Sequence, residues 1–160
     1  MPISADYSRS NRYRAFDFFP DEPTIESFDA LIAAPDAQAR EQFATSLIGA
    51  LSSIVGVSAP RVLVLDAPRP HRVLDGHVVY QRLGSYSPRT HTMRIHNRTA
   101  RIEKQVAPKT FADTVLHELL HHWDFELLKL TRSLHTSGFY YRLGDLKRKL
   151  RSESPVTTSS

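Results

Sequence analysis

The sequence predicts a single domain in which helices surround a few short strands, the α+β class. Three observations carry this. Residues 61–66 (RVLVLD) form a short β-branched run, and residues 90–97 alternate in polarity. Apolar stripes at helical spacing flank that stretch on both sides. The chain has 160 residues, of which 41% are hydrophobic and 24% charged, enough to bury one core without staples. No internal repeat or composition break marks a second domain. The expected division is a loosely ordered segment over 1–20, a folded domain over 21–152 and a disordered tail over 153–160.

Each element has its own signal. In the first twenty residues Tyr13, Phe16, Phe18 and Phe19 can dock as an aromatic strap, and a strap lying across a cleft would make a site latent. Residues 24–34 read as a short helix with Ile25, Phe28, Leu31 and Ile32 on one side. Asp36 is an N-cap for a second helix, whose core stripe is Phe43, Leu47, Leu51, Ile54 and Val55. Residues 61–66 read as a strand that Pro68 and Pro70 end. Residues 77–83 read as another strand, 84–89 (GSYSPR) as a turn, and 90–97 as the strand that completes a hairpin. In that last strand Thr92, Arg94 and His96 share one face, opposite Met93, Ile95 and Asn97. A basic loop follows, and Pro108 announces a helix. Thr110-x-x-Asp113 is a loose capping box, and the helix runs to about Leu130. Ser137 caps a last helix with Phe139, Leu143, Leu146 and Leu150 as its stripe.

Composition excludes several chemistries. There is no cysteine, so disulfides, thiolate nucleophiles, iron–sulfur clusters and Cys-ligated zinc ribbons are ruled out. Any metal must sit on His, Asp or Glu. The first twenty residues contain arginines and no apolar run, unlike a secretory signal. The uncharged stretch 43–60 carries five Ser/Thr and a helical stripe, unlike a membrane span. A soluble cytoplasmic protein is the expectation. Charge is uneven: residues 1–60 hold four Lys/Arg and eight Asp/Glu, net −4, and residues 61–160 hold seventeen and nine, net +8. The basic half contains the motifs.

The informative run is His117-Glu118-Leu119-Leu120-His121, an HExxH pattern. On a helix, residues four apart lie about 40° apart around the axis, so both imidazoles project to one side and can bind one Zn2+. Glu118 stands about 100° round from His117, where a carboxylate can take a proton from zinc-bound water and deliver it to a leaving amine. Phe111, Val115, Leu119 and Trp123 supply the apolar face that anchors this helix.

A catalytic zinc site needs a third protein ligand. The candidates are His135, Asp124, Glu126 and His122. His122 and Glu126 point off the face. Asp124 lies one turn beyond His121, where it suits holding an imidazole rather than the metal. His135 follows the loop LKLTRSL, which can bring the chain back over the pair, and it is the expected third ligand.

HELLH, the fourteen-residue step to His135 and then Phe139 resemble the SprT-like zinc metallopeptidases, as do LGSY (83–86) and MRIHN (93–97) before the helix. The resemblance covers about residues 40–150. It implies a zincin-like domain, a small antiparallel sheet packed on an HExxH active-site helix with flanking helices, and proteolysis often directed at DNA-associated proteins. Two features depart from that family: Thr136 stands where Gly often follows the third His, and no zinc ribbon or other DNA-binding module is present. HExxHxxD, with Asp124, is also similar to a mitochondrial inner-membrane processing peptidase family.

Other residues bear on function. Tyr140, Tyr141 and Arg142 follow the third ligand and are candidates for holding an oxyanion, though a packing or surface role accounts better for each. The strand 90–97 can offer its edge to an extended peptide. His71, His77, His91 and His96 lack ligand spacing and read as surface or structural. From Arg82 to Lys109 seven Lys/Arg face one Glu, and the last helix adds more, so contact with DNA is an expectation drawn from charge and resemblance. Asn97-Arg98-Thr99 matches a glycosylation sequon by chance.

The leading expectation is a zinc metallopeptidase acting on a protein or peptide substrate, with zinc on His117, His121 and His135 and Glu118 as general base, then acid. One rival is a non-enzymatic nucleic-acid or protein-binding module whose structural zinc takes a fourth ligand such as Asp124. Another is a regulatory peptidase of a stress pathway that cleaves one partner.

Overall fold

The computed structural model describes residues 5–68, 71–74, 77–81, 83–99 and 104–151. The tail 153–160, Arg82, residues 100–103 of the basic loop and the side chains of His71 and His77 lie outside the described residues. So do the expectations attached to them.

Helix α1 spans Ala5–Arg12, α2 Glu22–Ala33 and α3 Ala37–Val55. Within the segment expected to be loose, residues 5–12 are thus helical. Its sequence is too polar to show a stripe, and the buried residues are Asp6 and Ser10, polar groups that find partners elsewhere in the fold. The cap on α2 is Asp21, which accepts from Thr24 N, with Pro23 in the first turn. Asp36 caps α3 as expected, accepting from Ala39 N at 2.9 Å. Gly56, at φ +80°, ends α3 in the left-handed conformation that glycine tolerates. The stripe of α3 that enters the core is Ala44, Leu47, Ile48 and Leu51; Ile54 is exposed, against expectation.

Five strands follow: β1 (Arg61–Pro68), β2 (His71–Leu74), β3 (His77–Gln81), β4 (Gly84–Ser87) and β5 (Thr92–Arg98). One sheet has the order β1-β5-β4, with β1 parallel and β4 antiparallel to β5. It is mixed rather than antiparallel. β2 and β3 pair with each other in a separate two-stranded sheet. The expected hairpin is thus corrected. Residues 84–87, read as turn, are the strand that pairs with β5, and residues 88–91 make the turn. Ser-Pro-Arg-Thr supplies turn chemistry there, and His91 takes a positive φ of 51°. The face assignment of β5 holds for Met93, Ile95 and Asn97, which are buried, and for exposed Arg94, but Thr92 is buried too and His96 half-buried.

Asn97 is a polar anchor within this core, fully buried. Its Oδ1 accepts from Arg40 at 2.8 Å, and its Nδ2 donates to Asp66 at 2.9 Å and to Gln105 at 3.2 Å. The sequon asparagine is spent on structure.

Helix α4 covers Pro108–Glu126 and α5 covers Ser137–Leu150. α4 is the centre of the fold, packed by β4, β5, α2, α3 and α5. Phe111, Val115, Leu119 and Trp123 are all buried, as the periodicity predicts. The loose capping box does not operate: α4 starts at Pro108, and no side chain caps it. It stops at Glu126, four residues early, because the chain reverses through Lys129 at φ +58°. The cap of α5 is Thr136 rather than Ser137, accepting from Phe139 N at 3.0 Å. No helix among the described residues is long and apolar enough to cross a membrane.

Candidate metal centre

His117 and His121 leave α4 one turn apart, and the loop after α4 brings His135 back to them. The three Nε2 atoms form a triangle. His117 is 3.2 Å from His121 and 3.2 Å from His135, and His121 is 3.0 Å from His135. Each pair of ring centroids is 4.9 Å apart. Three nitrogens on a tetrahedral zinc with bonds of about 2.05 Å lie about 3.3 Å from one another. The triangle fits that requirement. Three lone pairs aimed at one point repel unless a cation lies among them, so the donor set also fits in its chemistry.

Protonation points the same way. Burial, and then the neighbouring His135, lower His117 to about 4. Burial, then His117 and His135, lower His121 to about 3. Both rings are neutral at pH 7, the state in which an imidazole donates a lone pair to a metal.

Behind His121 stands a relay. Its Nδ1 lies 2.6 Å from Ser133 Oγ, and Ser133 donates to Asp124 Oδ2 at 2.7 Å. The hydroxyl has one proton and gives it to the carboxylate, so it accepts from Nδ1–H. That fixes the tautomer that leaves the Nε2 lone pair free for a cation. Asp124 also receives Arg142 on Oδ1 at 3.0 Å, and both side chains are 1% exposed. Burial raises the affinity of Asp124 for a proton, while the Ser133 hydroxyl and the Arg142 guanidinium pull the other way.

Asp124 therefore serves the imidazole through an intermediary and is no ligand. His122 points off the face, as expected. Its Nε2 donates to Ser58 O at 2.8 Å, and its Nδ1 accepts from Tyr86 Oη at 2.6 Å. Glu126 stands 3.6 Å from His91. Arg142 is buried behind the site, and Tyr141 is exposed beneath Arg14. Of the three oxyanion candidates only Tyr140 borders the cleft.

Sequence reasoning missed two roles. Ser133, two residues before His135 in an irregular loop, carries no pattern of its own. Phe139, read as a stripe residue and as part of the resemblance but given no place at the site, is fully buried with its ring 4.9–5.3 Å from all three imidazoles, forming the floor of the triangle.

Two cavities meet at His117 and Glu118. One, of about 540 Å³, is lined by Leu83, Thr110, Thr114, Tyr140 and Leu143 among others. The second, about 480 Å³, extends past Ser85, Tyr86 and Phe125 to His121 and His135. Both run beside β4. Gly84 permits this closeness: a Cβ there would lie 2.9 Å from Arg94 O and 3.0 Å from Thr114 Cγ2. The aromatic strap lines neither cavity. Phe16 and Phe18 pack instead on Trp123, at 5.1 and 6.2 Å between centroids. Latency by a strap across the cleft is thereby corrected: Trp123 lies on the far side of α4, and its buried ring is what the two phenylalanines cover.

Comparison with protein-family models, with curated proteins and with solved structures finds no match.

Proposed function

We propose that this chain is a zinc-dependent metallopeptidase. One observation carries the reading: a triangle of imidazole nitrogens stands beside Glu118 where two cavities meet. His117, His121 and His135 would hold the ion through Nε2. When bound, zinc supplies a Lewis acid and lowers the pKa of a bound water toward about 7. Glu118 takes a proton on a carboxylate oxygen from the attacking water and returns it to the leaving amine nitrogen. His121 keeps its orientation through Ser133 and Asp124.

Substrate would lie along β4. β5 is flanked by β1 and β4, so the edge expected from residues 90–97 is occupied, and β4 is the edge beside the cleft. Leu83 O accepts from His96 N at 3.2 Å. By antiparallel alternation the main-chain groups of Gly84 and Tyr86 then face away from β5, toward an extended peptide. The cavities on either side of Glu118 would receive its side chains.

The SprT-like resemblance supports this reading through HELLH, His135 and Phe139. DNA contact belongs to the same proposal and draws on exposed Arg89, Arg94, Lys104 and Lys109. The cluster on α5 offers less, since Lys147, Arg148 and Lys149 pair with Asp113 or Asp145. A closed structural zinc is not favoured: among the described residues no fourth donor joins the triangle, and Asp124 is engaged by Ser133 and Arg142.

The test is Glu118→Gln. Zinc content should persist while hydrolysis of a proteome-derived peptide library, read by mass spectrometry, disappears. Undiminished cleavage by that variant ends the proposal.

A further inference from the structure

The loop 127–136 carries both Ser133 and His135, yet it contains no regular structure. A ligand on such a loop is placed only as well as the loop is held. Its holder is α1, more than a hundred residues away in sequence. Asp6 accepts from the backbone N of Thr131 at 3.3 Å and from its hydroxyl. Arg9 donates to the carbonyls of Leu128, at 2.6 Å, and Lys129, at 3.3 Å. The Ser10 hydroxyl lies 2.7 Å from that of Thr136, the residue after His135. Asn11 Oδ1 accepts from Gly138 N at 2.8 Å, adding a second cap to α5.

The same helix reaches the other arm of the site. Arg142 donates to Ser10 O at 2.6 Å and Tyr13 O at 2.7 Å, to Ser10 Oγ at 3.2 Å, and to Asp124 behind His121. Packing is close enough to dictate composition. A Cβ on Gly138 would lie 2.2 Å from Ser10 O, so glycine is required where α1 crosses α5. Polar groups on a short exposed helix ordinarily face water; here Asp6 and Ser10 are buried against the loop. The helix is polar because its partners are backbone and hydroxyl groups.

The geometry points to a positioning role for α1: through Asp6, Arg9, Ser10 and Asn11 it sets the loop that presents His135 to the other two imidazoles. This rests on the proposed zinc site. Asp6, Arg9, Ser10 and Asn11 line neither cavity, so they act through other residues. Removing partners that orient a ligand typically costs 10–100-fold in metal affinity.

The experiment is a double-mutant cycle on the full chain. Asp6→Ala/Asn11→Ala is made in the wild-type and in the Ser133→Ala/His135→Ala background, and zinc affinity is read by competition with a chromophoric chelator where all variants are folded. In the wild-type background affinity should fall at least tenfold. In the Ser133→Ala/His135→Ala background the same changes should alter it less than twofold, because both site residues that the loop carries are gone. A merely structural role gives equal losses in both backgrounds and overturns the inference; so does unchanged affinity in the first. If the wild-type chain takes up no zinc, the metal site itself fails, and that result is separate from these. Hydrogen exchange on the wild-type chain covers a variant that does not fold. Coupling is reciprocal, so zinc should slow exchange of the amides of residues 6–11. Slowing confined to α4 overturns the inference.

Discussion

Replacing Ser133 by alanine removes one oxygen and breaks two contacts. His121 Nδ1–H loses an acceptor at 2.6 Å, and Asp124 Oδ2 loses a donor at 2.7 Å. Asp124 keeps Arg142 on its other oxygen, so the carboxylate stays paired but half satisfied. A buried polar group left without a partner costs about 1–3 kcal/mol, and this sets the expected loss of stability in the metal-free chain. Zinc binding has a separate cost, because nothing then selects the tautomer of His121 or the angle of its ring. The expected loss is about 10–100-fold in affinity, equivalent to about 1.4–2.8 kcal/mol. Urea unfolding in the presence of a chelator reads the first quantity, and competition with a chromophoric chelator reads the second. Ser133→Thr retains the hydroxyl and should recover most of the affinity. If Ser133→Ala binds zinc within twofold of wild type, the relay does not orient the ligand and the reasoning is refuted.

Three further outcomes follow from the same structure. Phe139→Ala removes the fully buried floor beneath the imidazoles; thermal unfolding should report a loss of about 3–5 kcal/mol, with weakened zinc uptake. Gly84→Ala forces a methyl against Arg94 O and Thr114, and should cost about 1–3 kcal/mol by overpacking while raising KM for peptides more than it lowers kcat, because the edge beside the cleft moves. The metal-free chain should lose stability in acid. His117 and His121 are held at about 4 and about 3 in the fold, against about 6.5 in an unfolded chain. Between those values the unfolded chain binds protons that the folded chain refuses, so stability is whole above about pH 6.5 and falls toward pH 3–4. A urea midpoint that stays level from pH 7 to 4 would contradict the burial of these rings.

Much of the scaffold was legible because it obeys local rules. Asp36 before an apolar stripe and the face of α4 follow from capping and periodicity. HExxH was legible because helical geometry alone turns two imidazoles to one side. What escaped has physical causes. β4 is four residues of Gly, Ser and Tyr, which read as turn; its strand character comes from pairing with β5 and packing on α4. The parallel pairing of β1 with β5 is a long-range choice that no local pattern encodes. Ser133 acts through a single hydroxyl placed by tertiary contacts. α1 lacks an apolar stripe since it docks by hydrogen bonds, and hydrophobic periodicity is blind to those. Ile54 shows the converse error: the stripe of α3 is rotated so that Ala44 and Ile48 go inside in its place.

The central claim is a three-histidine ion with one position left open. X-ray absorption at the zinc edge on the zinc-loaded chain measures it directly. One zinc per chain is expected, with three imidazole nitrogens and one oxygen donor without the outer-shell scattering of a ring, all at about 2.0 Å. Failure to take up zinc, or a shell closed by four protein donors, would contradict it.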